Sequence, residues 1–213
     1  MKDVQTKDAR LKSFLKEQVK SSLLSVGRRL VTEKGADFLT ARKLSDASKI
    51  SIGTIYNLFA TMDHFIMAEN MQTLDELYQE MTVIIPAENP YLTINRYTDV
   101  FSAFVINHPE LWQLLFREHL NYRGQKWPLG YLKKMRRIEA LFERQIGLMF
   151  GKINTAERRL AGQVLEMSLF ALSGFVSGGA WDNLRQVNKQ NVCKLLLNTY
   201  LAGLASLKKV TKC

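Results

Sequence analysis

The stretch SIGTIYNLF, residues 51–59, gathers side chains that can bond to an anionic backbone. Ser51, Thr54 and Tyr56 carry hydroxyl groups, which can donate hydrogen bonds to phosphate oxygens. Gly53 has no side chain, so another molecule can approach the backbone closely there, although a glycine inside a helix costs roughly 0.5 to 1 kcal/mol relative to alanine. A short helix of this composition indicates a surface for contact with phosphate groups.

The elements around this stretch have the outline of a helix-turn-helix. Thr40 can cap a helix over TARKLSDAS, residues 40–48, and Ser51 can cap the next one. Only Lys49 and Ile50 separate the two segments. The alternative is an ordinary helical hairpin with a solvent-facing tyrosine. The apolar residues expected to hold the second helix against its neighbours are Ile55, Leu58 and Phe59.

A longer amphipathic helix precedes this pair. Apolar residues recur every three or four positions from Leu11 to Leu30, which predicts a helix that ends near Gly35. We expect its apolar stripe to form the core beneath the helix-turn-helix. The alternative is a basic amphipathic helix on a membrane surface. The stripe consists of Leu11, Leu15, Val19, Leu23, Val26 and Leu30.

Helical periodicity continues through the rest of the chain, and no segment reads as a strand. We therefore predict an all-α protein of about nine helices. Residues 1–60 are expected to form a three-helix domain with the helix-turn-helix at about 40–59, and residues 61–213 a larger helical domain. Its last two long helices, about 155–181 and 190–207, carry small residues that suit either a helix-to-helix dimer contact or packing within one chain. These small residues are Gly174, Gly178, Ala202, Gly203 and Ala205.

Charge is distributed unevenly along the 213 residues, whose net charge is +10. Residues 1–62 hold 12 basic and 6 acidic side chains, a net charge of +6. This asymmetry favours an anionic partner for the first part of the chain, and the alternative is a solvated surface that aids solubility. The two cysteines, Cys193 and Cys213, fit a reducing cytoplasm. The longest uncharged stretch, residues 167–181, is too short for a membrane span, so we expect a buried helix there and no membrane partner.

Residues 39–65, LTARKLSDASKISIGTIYNLFATMDHF, resemble the DNA-binding signature of the TetR-type repressors. The resemblance rests on Gly35 closing the first helix, Thr40 opening the second, and the pattern Ser-x-Gly-Thr-Ile-Tyr-x-x-Phe of residues 51–59. It implies a repressor that binds a near-palindromic, double-stranded DNA operator as a homodimer. It also implies release by a small apolar or amphipathic effector, with the fourth helix as the coupling element. No cofactor is expected.

The resemblance implies DNA contacts at eight positions, and the basic side chains of Lys43 and Lys49 add two further predicted contacts. Arg42 could pair with guanine and Asn57 with adenine, whereas Ile52 offers only apolar contact. Two positions depart from the family pattern. Lys49 stands where the turn usually has glycine, so either this residue adopts a positive φ or the turn differs, and Met62 replaces a lysine that would reach the DNA backbone. The predicted contacts are Thr40, Arg42, Lys43, Lys49, Ser51, Ile52, Gly53, Thr54, Tyr56 and Asn57.

Aromatic residues gather in the middle helices, where they could line an effector pocket or form ordinary core. The predicted pocket residues are Phe104, Trp112, Phe116, His119, Tyr131, Phe142 and Phe170.

Catalytic patterns are missing from the sequence. The three histidines have no metal-ligand spacing, and neither a glycine-rich phosphate loop nor a nucleophile elbow occurs, so we predict no metal site and no enzyme. The alternatives are a TetR-fold binding or interaction protein that has lost specific DNA binding, and an all-helical enzyme.

Overall fold

The computed structural model describes residues 2–121, 127–151, 153–178 and 189–210. Within those residues the chain forms nine α-helices and no strand, which confirms the all-α prediction. The helices are α1 Lys2–Lys34, α2 Ala41–Ser48, α3 Ile52–Phe59, α4 Met62–Thr82, α5 Pro90–Asn107, α6 Pro109–Asn121, α7 Leu129–Met149, α8 Thr155–Ser177 and α9 Lys189–Val210.

The chain divides into two compact units, Met1–Gln72 and Thr73–Cys213. Helix α4 contributes residues to both, because the division falls within it. Positions 179–181, predicted as the end of the eighth helix, lie outside the described residues, as does Cys213.

The smaller unit packs α2, α3 and the first half of α4 on the second half of α1. Leu23, Leu44 and Ile55 are fully buried at the centre of this unit. The ring of Phe65 lies against Gly27, where an added Cβ atom would come within 2.5 Å of the ring. The rings of Phe59 and Phe65 meet edge to face with centroids 4.9 Å apart, so the end of α3 is held to α4.

The N-terminal half of α1 lies outside this core. Leu11, Phe14 and Leu15 are exposed by 56%, 59% and 50% of their surface, whereas Leu23 and Leu30 are buried. The expectation that the whole apolar stripe forms core is therefore correct for Leu23 and Leu30 and wrong for Leu11 and Leu15. The physical reason is length: α1 has 33 residues, about 50 Å at the rise of an α-helix, and α2 and α3 have only 8 residues each.

The larger unit packs α5 against α7 and α9, and α8 against α6, α7 and α9. Trp112 is fully buried in α6, with its ring centroid 5.2 Å from that of Phe101 and 5.3 Å from that of Phe170. Its indole Nε1–H donates a hydrogen bond of 2.9 Å to the hydroxyl of Ser173 in α8. Gly174, the next residue, lies directly against the ring of Phe116. At Gly174 the small residue therefore serves packing within the chain.

Helix α8 begins at a capping box. The Asn154 side chain accepts a hydrogen bond from the Glu157 amide at 2.9 Å, and the Glu157 carboxylate accepts one from the Asn154 amide at 3.2 Å. By length and composition alone α8 could cross a membrane, but a core helix has the same composition. Leu165 and Leu169 are buried within the unit, as expected for such a core helix.

The opposite face of α8 is apolar and exposed. Met167 at its middle has 64% of its surface exposed. The residues of this face are three or four positions apart in the sequence, which is the spacing of side chains on one side of a helix. We call it the α8 stripe: Leu160, Val164, Met167, Ala171 and Phe175.

Candidate nucleic-acid interface and ligand cavity

Helix α2 starts at a threonine cap that orients its basic residues. The Thr40 hydroxyl oxygen accepts a hydrogen bond of 3.3 Å from the Lys43 amide. Leu44 is fully buried, which leaves Arg42 and Lys43 exposed. The Lys43 ammonium lies 4.8 Å from the centroid of the Phe38 ring. This cation–π contact restrains the Lys43 side chain. Arg42 makes no ion pair with any described residue.

The turn between α2 and α3 contains Lys49 in the left-handed conformation, with φ 60° and ψ 20°. Of the two alternatives for this position, the chain adopts the positive φ. The Lys49 amide donates to the Ser45 carbonyl at 2.9 Å, and the Ile50 amide donates to the Ser48 hydroxyl at 3.2 Å. These bonds close the turn around a residue whose side chain is exposed.

Helix α3 is capped by Ser51 and anchored by its apolar side. The Ser51 hydroxyl oxygen accepts a hydrogen bond of 3.1 Å from the Thr54 amide and lies 2.9 Å from the Thr54 hydroxyl. Ile55 and Phe59 are buried and Leu58 is half-buried. Because this side faces the core, the hydroxyl-bearing start of α3 faces outward.

Gly53 lies on this outer face with open space above it. A Cβ atom added there would meet only the Ser51 hydroxyl oxygen, at 3.9 Å, which is ordinary van der Waals contact. Packing within the unit therefore does not require a glycine at this position, although glycine lowers helix stability. The space above Gly53 is available to another molecule.

All ten predicted DNA-contact residues are exposed. They lie on α2, on α3 and in the turn that joins them. Among residues 40–62 there are three basic side chains and one acidic side chain, that of Asp46. The surface therefore combines a positive charge with hydroxyl donors, which are the groups that bind phosphates.

The start of α4 supplies polar groups that the sequence argument missed. The Thr61 hydroxyl oxygen accepts a hydrogen bond of 3.2 Å from the His64 amide and lies 3.1 Å from the His64 Nδ1 atom. Both residues are exposed, whereas Met62 is half-buried. The available signal was a threonine three residues before His64, the spacing of a helix cap.

A cavity of about 130 Å³ lies among α6, α7 and α8. Three of the predicted pocket residues line it: Phe116, His119 and Phe170. The structure places the other four in the core of the larger unit: Phe104, Trp112, Tyr131 and Phe142. The remaining lining residues are Leu120, Met135, Glu166, Met167 and Ala171.

Glu166 is the acidic residue of this cavity. Only 8% of its surface is exposed. Burial, with a smaller contribution from the nearby carboxylate of Glu139, raises the pKa of its carboxyl group to about 8. Burial also lowers the pKa of His119, whose Nδ1 lies 3.5 Å from the Tyr131 hydroxyl.

The sequence carried a signal for Glu166. It is the one charged residue between positions 160 and 181, and a lone charge in an apolar helix needs a reason.

An open groove of about 640 Å³ runs along α7 and α8, with several basic residues in its lining. Two of its arginines are already paired: Arg136 bonds the carboxylates of Glu139 and Glu143, and Arg137 bonds that of Asp75. We therefore regard it as a salt-bridged surface. In the part of the chain that the structure describes, no group of three or more His, Cys, Asp or Glu side chains could hold a metal ion.

No family model and no curated protein matches the sequence, whereas solved structures match its fold. A possible TetR family transcriptional regulator from Streptomyces coelicolor is 12% identical, with a TM-score of 0.67 over 88% of this chain and 99% of that chain. FadR, a TetR family transcriptional repressor from Thermus thermophilus in complex with lauroyl-CoA, is 14% identical, with a TM-score of 0.66 over 85% of this chain and 93% of that chain. PfmR, a TetR family transcriptional regulator from the same species, is 16% identical, with a TM-score of 0.58 over 84% and 97%. The chain therefore has a TetR-type fold.

Proposed function

We propose that this chain is a cytoplasmic transcriptional repressor that binds a near-palindromic DNA operator as a homodimer and is released by a small ligand. The observation that carries the proposal is Gly53 on an exposed helix start, where an added Cβ atom would meet no described residue closer than the Ser51 hydroxyl oxygen, at 3.9 Å. The TetR-type fold supports the same function, because the matching structures include transcriptional repressors and regulators.

In this proposal α3 is the recognition helix. Ser51, Thr54 and Tyr56 bond phosphate oxygens, and Gly53 lets the start of the helix come close to the DNA. Ile52 and Asn57 face base edges from the same exposed side. On α2 and in the turn, Arg42 reads a base, whereas the phosphate contacts come from Thr40, Lys43 and Lys49.

The α8 stripe is the proposed dimer contact. It leaves an apolar helix face in water, which a second copy of the chain would cover. A two-fold axis would then place two recognition helices about 34 Å apart, one DNA turn. We expect Met167→Glu to shift the protein towards monomer in sedimentation velocity runs. Val83→Glu, a change at an 80% exposed apolar residue outside the stripe, should leave the dimer intact.

The proposed ligand response passes from α7 to α4. Met135 of α7 lines the cavity, and the neighbouring Lys134 and Arg137 both bond the Asp75 carboxylate of α4. The Arg137 guanidinium also lies 4.3 Å from the centroid of the Tyr78 ring, one turn further along α4. A ligand that moves α7 would therefore act directly on α4, the helix that follows α3 in the chain.

The test is DNA binding by the purified protein, measured by fluorescence anisotropy on DNA flanking its own gene at several salt concentrations. We expect the logarithm of affinity to fall linearly with the logarithm of salt concentration. Tyr56→Phe should weaken binding on all DNA sequences to a similar extent. Arg42→Ala should relax the preference at one base position by about 1–3 kcal/mol.

Lys133→Ala is the control, because Lys133 is an exposed basic residue of α7, which belongs to the larger unit. It should leave DNA affinity unchanged. Absence of salt-dependent binding to any of these fragments would contradict the proposed function and favour a TetR-fold protein without operator binding.

A further inference from the structure

The Glu166 side chain is buried, and its carboxyl group has no bonding partner among the described residues. It forms no hydrogen bond and no ion pair with any described residue, and yet 92% of its residue surface is covered. A buried polar group without a hydrogen-bond partner lowers the free energy of unfolding by about 1–3 kcal/mol. A core position would therefore favour an apolar residue, and the carboxyl group instead lines a cavity.

The surroundings of Glu166 are apolar and aromatic. Phe116 and Phe170 line the cavity, and the ring of His119 lies 4.7 Å from that of Phe170, centroid to centroid. Aromatic faces attract cations, and a carboxylate is the strongest counter-ion that a side chain can offer. Met135 and Met167 complete the wall with flexible side chains that adapt to a ligand's shape.

In the part of the chain that the structure describes, no basic side chain forms an ion pair with Glu166. Charge interaction links its carboxyl group to the carboxylate of Glu139, which is itself paired with Arg136. The titratable and charged groups that face this region are Glu118 and His119 from α6, Arg136, Tyr131 and Glu139 from α7, and Arg159 beside Glu139.

We infer that the cavity binds a small organic cation, an ammonium group on a compact apolar body, with Glu166 as its counter-ion. This inference deepens the ligand response proposed above by naming the chemical class of the ligand. A cavity of about 130 Å³ is close in size to an engineered apolar cavity of about 150 Å³ that binds benzene. A ligand with a single ring or a short branched chain therefore fits.

Binding releases a proton. The free carboxyl group is largely protonated at neutral pH, since burial raises its pKa to about 8. When the ammonium ion enters, the carboxyl group loses its proton to the buffer and becomes the carboxylate that pairs with the cation. Affinity should therefore rise about tenfold per pH unit between pH 6 and 8 and level off above that range.

The experiment is calorimetric titration of the full chain, without DNA, with three probes of similar shape: benzylammonium, benzyl alcohol and benzoate. We expect benzylammonium to bind at least about tenfold more tightly than the other two at pH 8. Titration at pH 7 in phosphate and in Tris should show release of close to one proton per ligand, because the two buffers have different ionisation enthalpies. Preference for benzyl alcohol or benzoate, no binding of any probe, or binding without proton release would overturn the inference.

Glu166→Gln keeps the shape of the side chain and removes its charge. We expect this variant to lose both the preference for benzylammonium and the pH dependence, while the affinity for benzyl alcohol changes by less than about threefold. Glu80→Gln, an exposed position on α4, should behave like the unchanged protein. If Glu166→Gln does not fold, the proton-release measurement on the unchanged protein still decides the question.

DNA binding separates this inference from the proposed function. Benzylammonium binding in a chain that fails to bind DNA would leave the cavity assignment intact and refute the repressor. DNA binding without benzylammonium binding would refute the cation site alone.

Discussion

The outer face of α3 and the inner face of α8 both contain a glycine, but the two glycines have opposite surroundings. Above Gly53 there is open space, whereas Gly174 lies directly against the ring of Phe116. Packing within the fold explains the second glycine and leaves the first unexplained. A small residue therefore indicates an outside partner only where its own chain leaves the space unfilled.

The polar groups of the two regions differ in the same way. On α3 the Ser51 and Thr54 hydroxyls bond each other and remain exposed to water. In the larger unit the Glu166 carboxyl group is buried and has no bonding partner among the described residues. The exposed hydroxyls remain hydrated until a large charged partner binds them. The cavity instead suits a small ligand whose positive charge pairs with the buried carboxylate.

The largest expected effect concerns Glu166. Its pKa is raised from 4.5 to about 8 in the folded protein, so folding favours the protonated form. The free energy of unfolding should therefore decrease as pH rises from about 4.5 to about 8, by a few kcal/mol at roughly 1.4 kcal/mol per pKa unit. Urea denaturation at a series of pH values should show this decline in the unchanged protein and a much flatter profile in Glu166→Gln.

The control for this pH profile is Glu80→Gln, which removes an exposed carboxylate. It should keep the full decline. An equal slope in Glu166→Gln and the unchanged protein would mean that Glu166 is solvated, and the contrast between the two regions would then fail.

Next in size is Gly174→Ala. The added methyl group would collide with the Phe116 ring, and overpacking of this kind costs about 1–3 kcal/mol of unfolding free energy. Urea denaturation at one pH is sufficient to measure it. A variant as stable as the parent would show that α6 and α8 can separate without cost, which contradicts the packing described for Gly174.

Gly53→Ala should separate stability from binding. Without a steric neighbour, the alanine should raise the free energy of unfolding by about 0.5–1 kcal/mol through its higher helix propensity. In the proposed complex the same methyl group would stand where the DNA approaches, so we expect affinity to fall about tenfold, close to 1.4 kcal/mol. Anisotropy titrations and urea denaturation on the same preparation measure both quantities. Unchanged DNA affinity would remove the main support for α3 as the recognition helix.

The smallest effect is expected for Lys49→Gly. Glycine avoids the roughly 1–2 kcal/mol that the left-handed conformation costs lysine, but it loses about 0.5–1 kcal/mol through the greater entropy of the unfolded chain, so the free energy of unfolding should rise by about 0.5–1 kcal/mol. If Lys49 also contacts a phosphate, the salt dependence of DNA binding should weaken by about one unit of slope. Lys49→Asn, which tolerates the left-handed conformation but has no charge, separates the two contributions.

The sequence predicted local structure well where one residue determines it. Thr40 and Ser51 both cap helices as predicted, because a cap depends on a side chain and the next three residues. At Lys49 the sequence allowed two turn geometries, since the choice depends on how α2 and α3 pack. Leu11 and Leu15 were misassigned because periodicity identifies a helix face but not the length of the element that covers it.

The cavity was predicted less completely, for a related reason. Aromatic residues such as Phe116 and Trp112 look alike in a sequence, and only packing decides that Phe116 borders a cavity while Trp112 lies in the core. Apolar periodicity did not predict Glu166, because a single acidic residue only interrupts the apolar pattern. Its isolation in an apolar helix was the better signal.

The α8 stripe has a consequence for how variants of this protein behave. If it forms the proposed two-fold contact, the same patch lies on both subunits, so every substitution in it enters the contact twice. Near the axis a residue faces its own copy, and an acidic replacement there would set two like charges against each other. Heterodimers of changed and unchanged chains would then be more stable than dimers of the changed chain. In a cell that also has an intact gene copy, such heterodimers would keep part of the proposed operator occupancy.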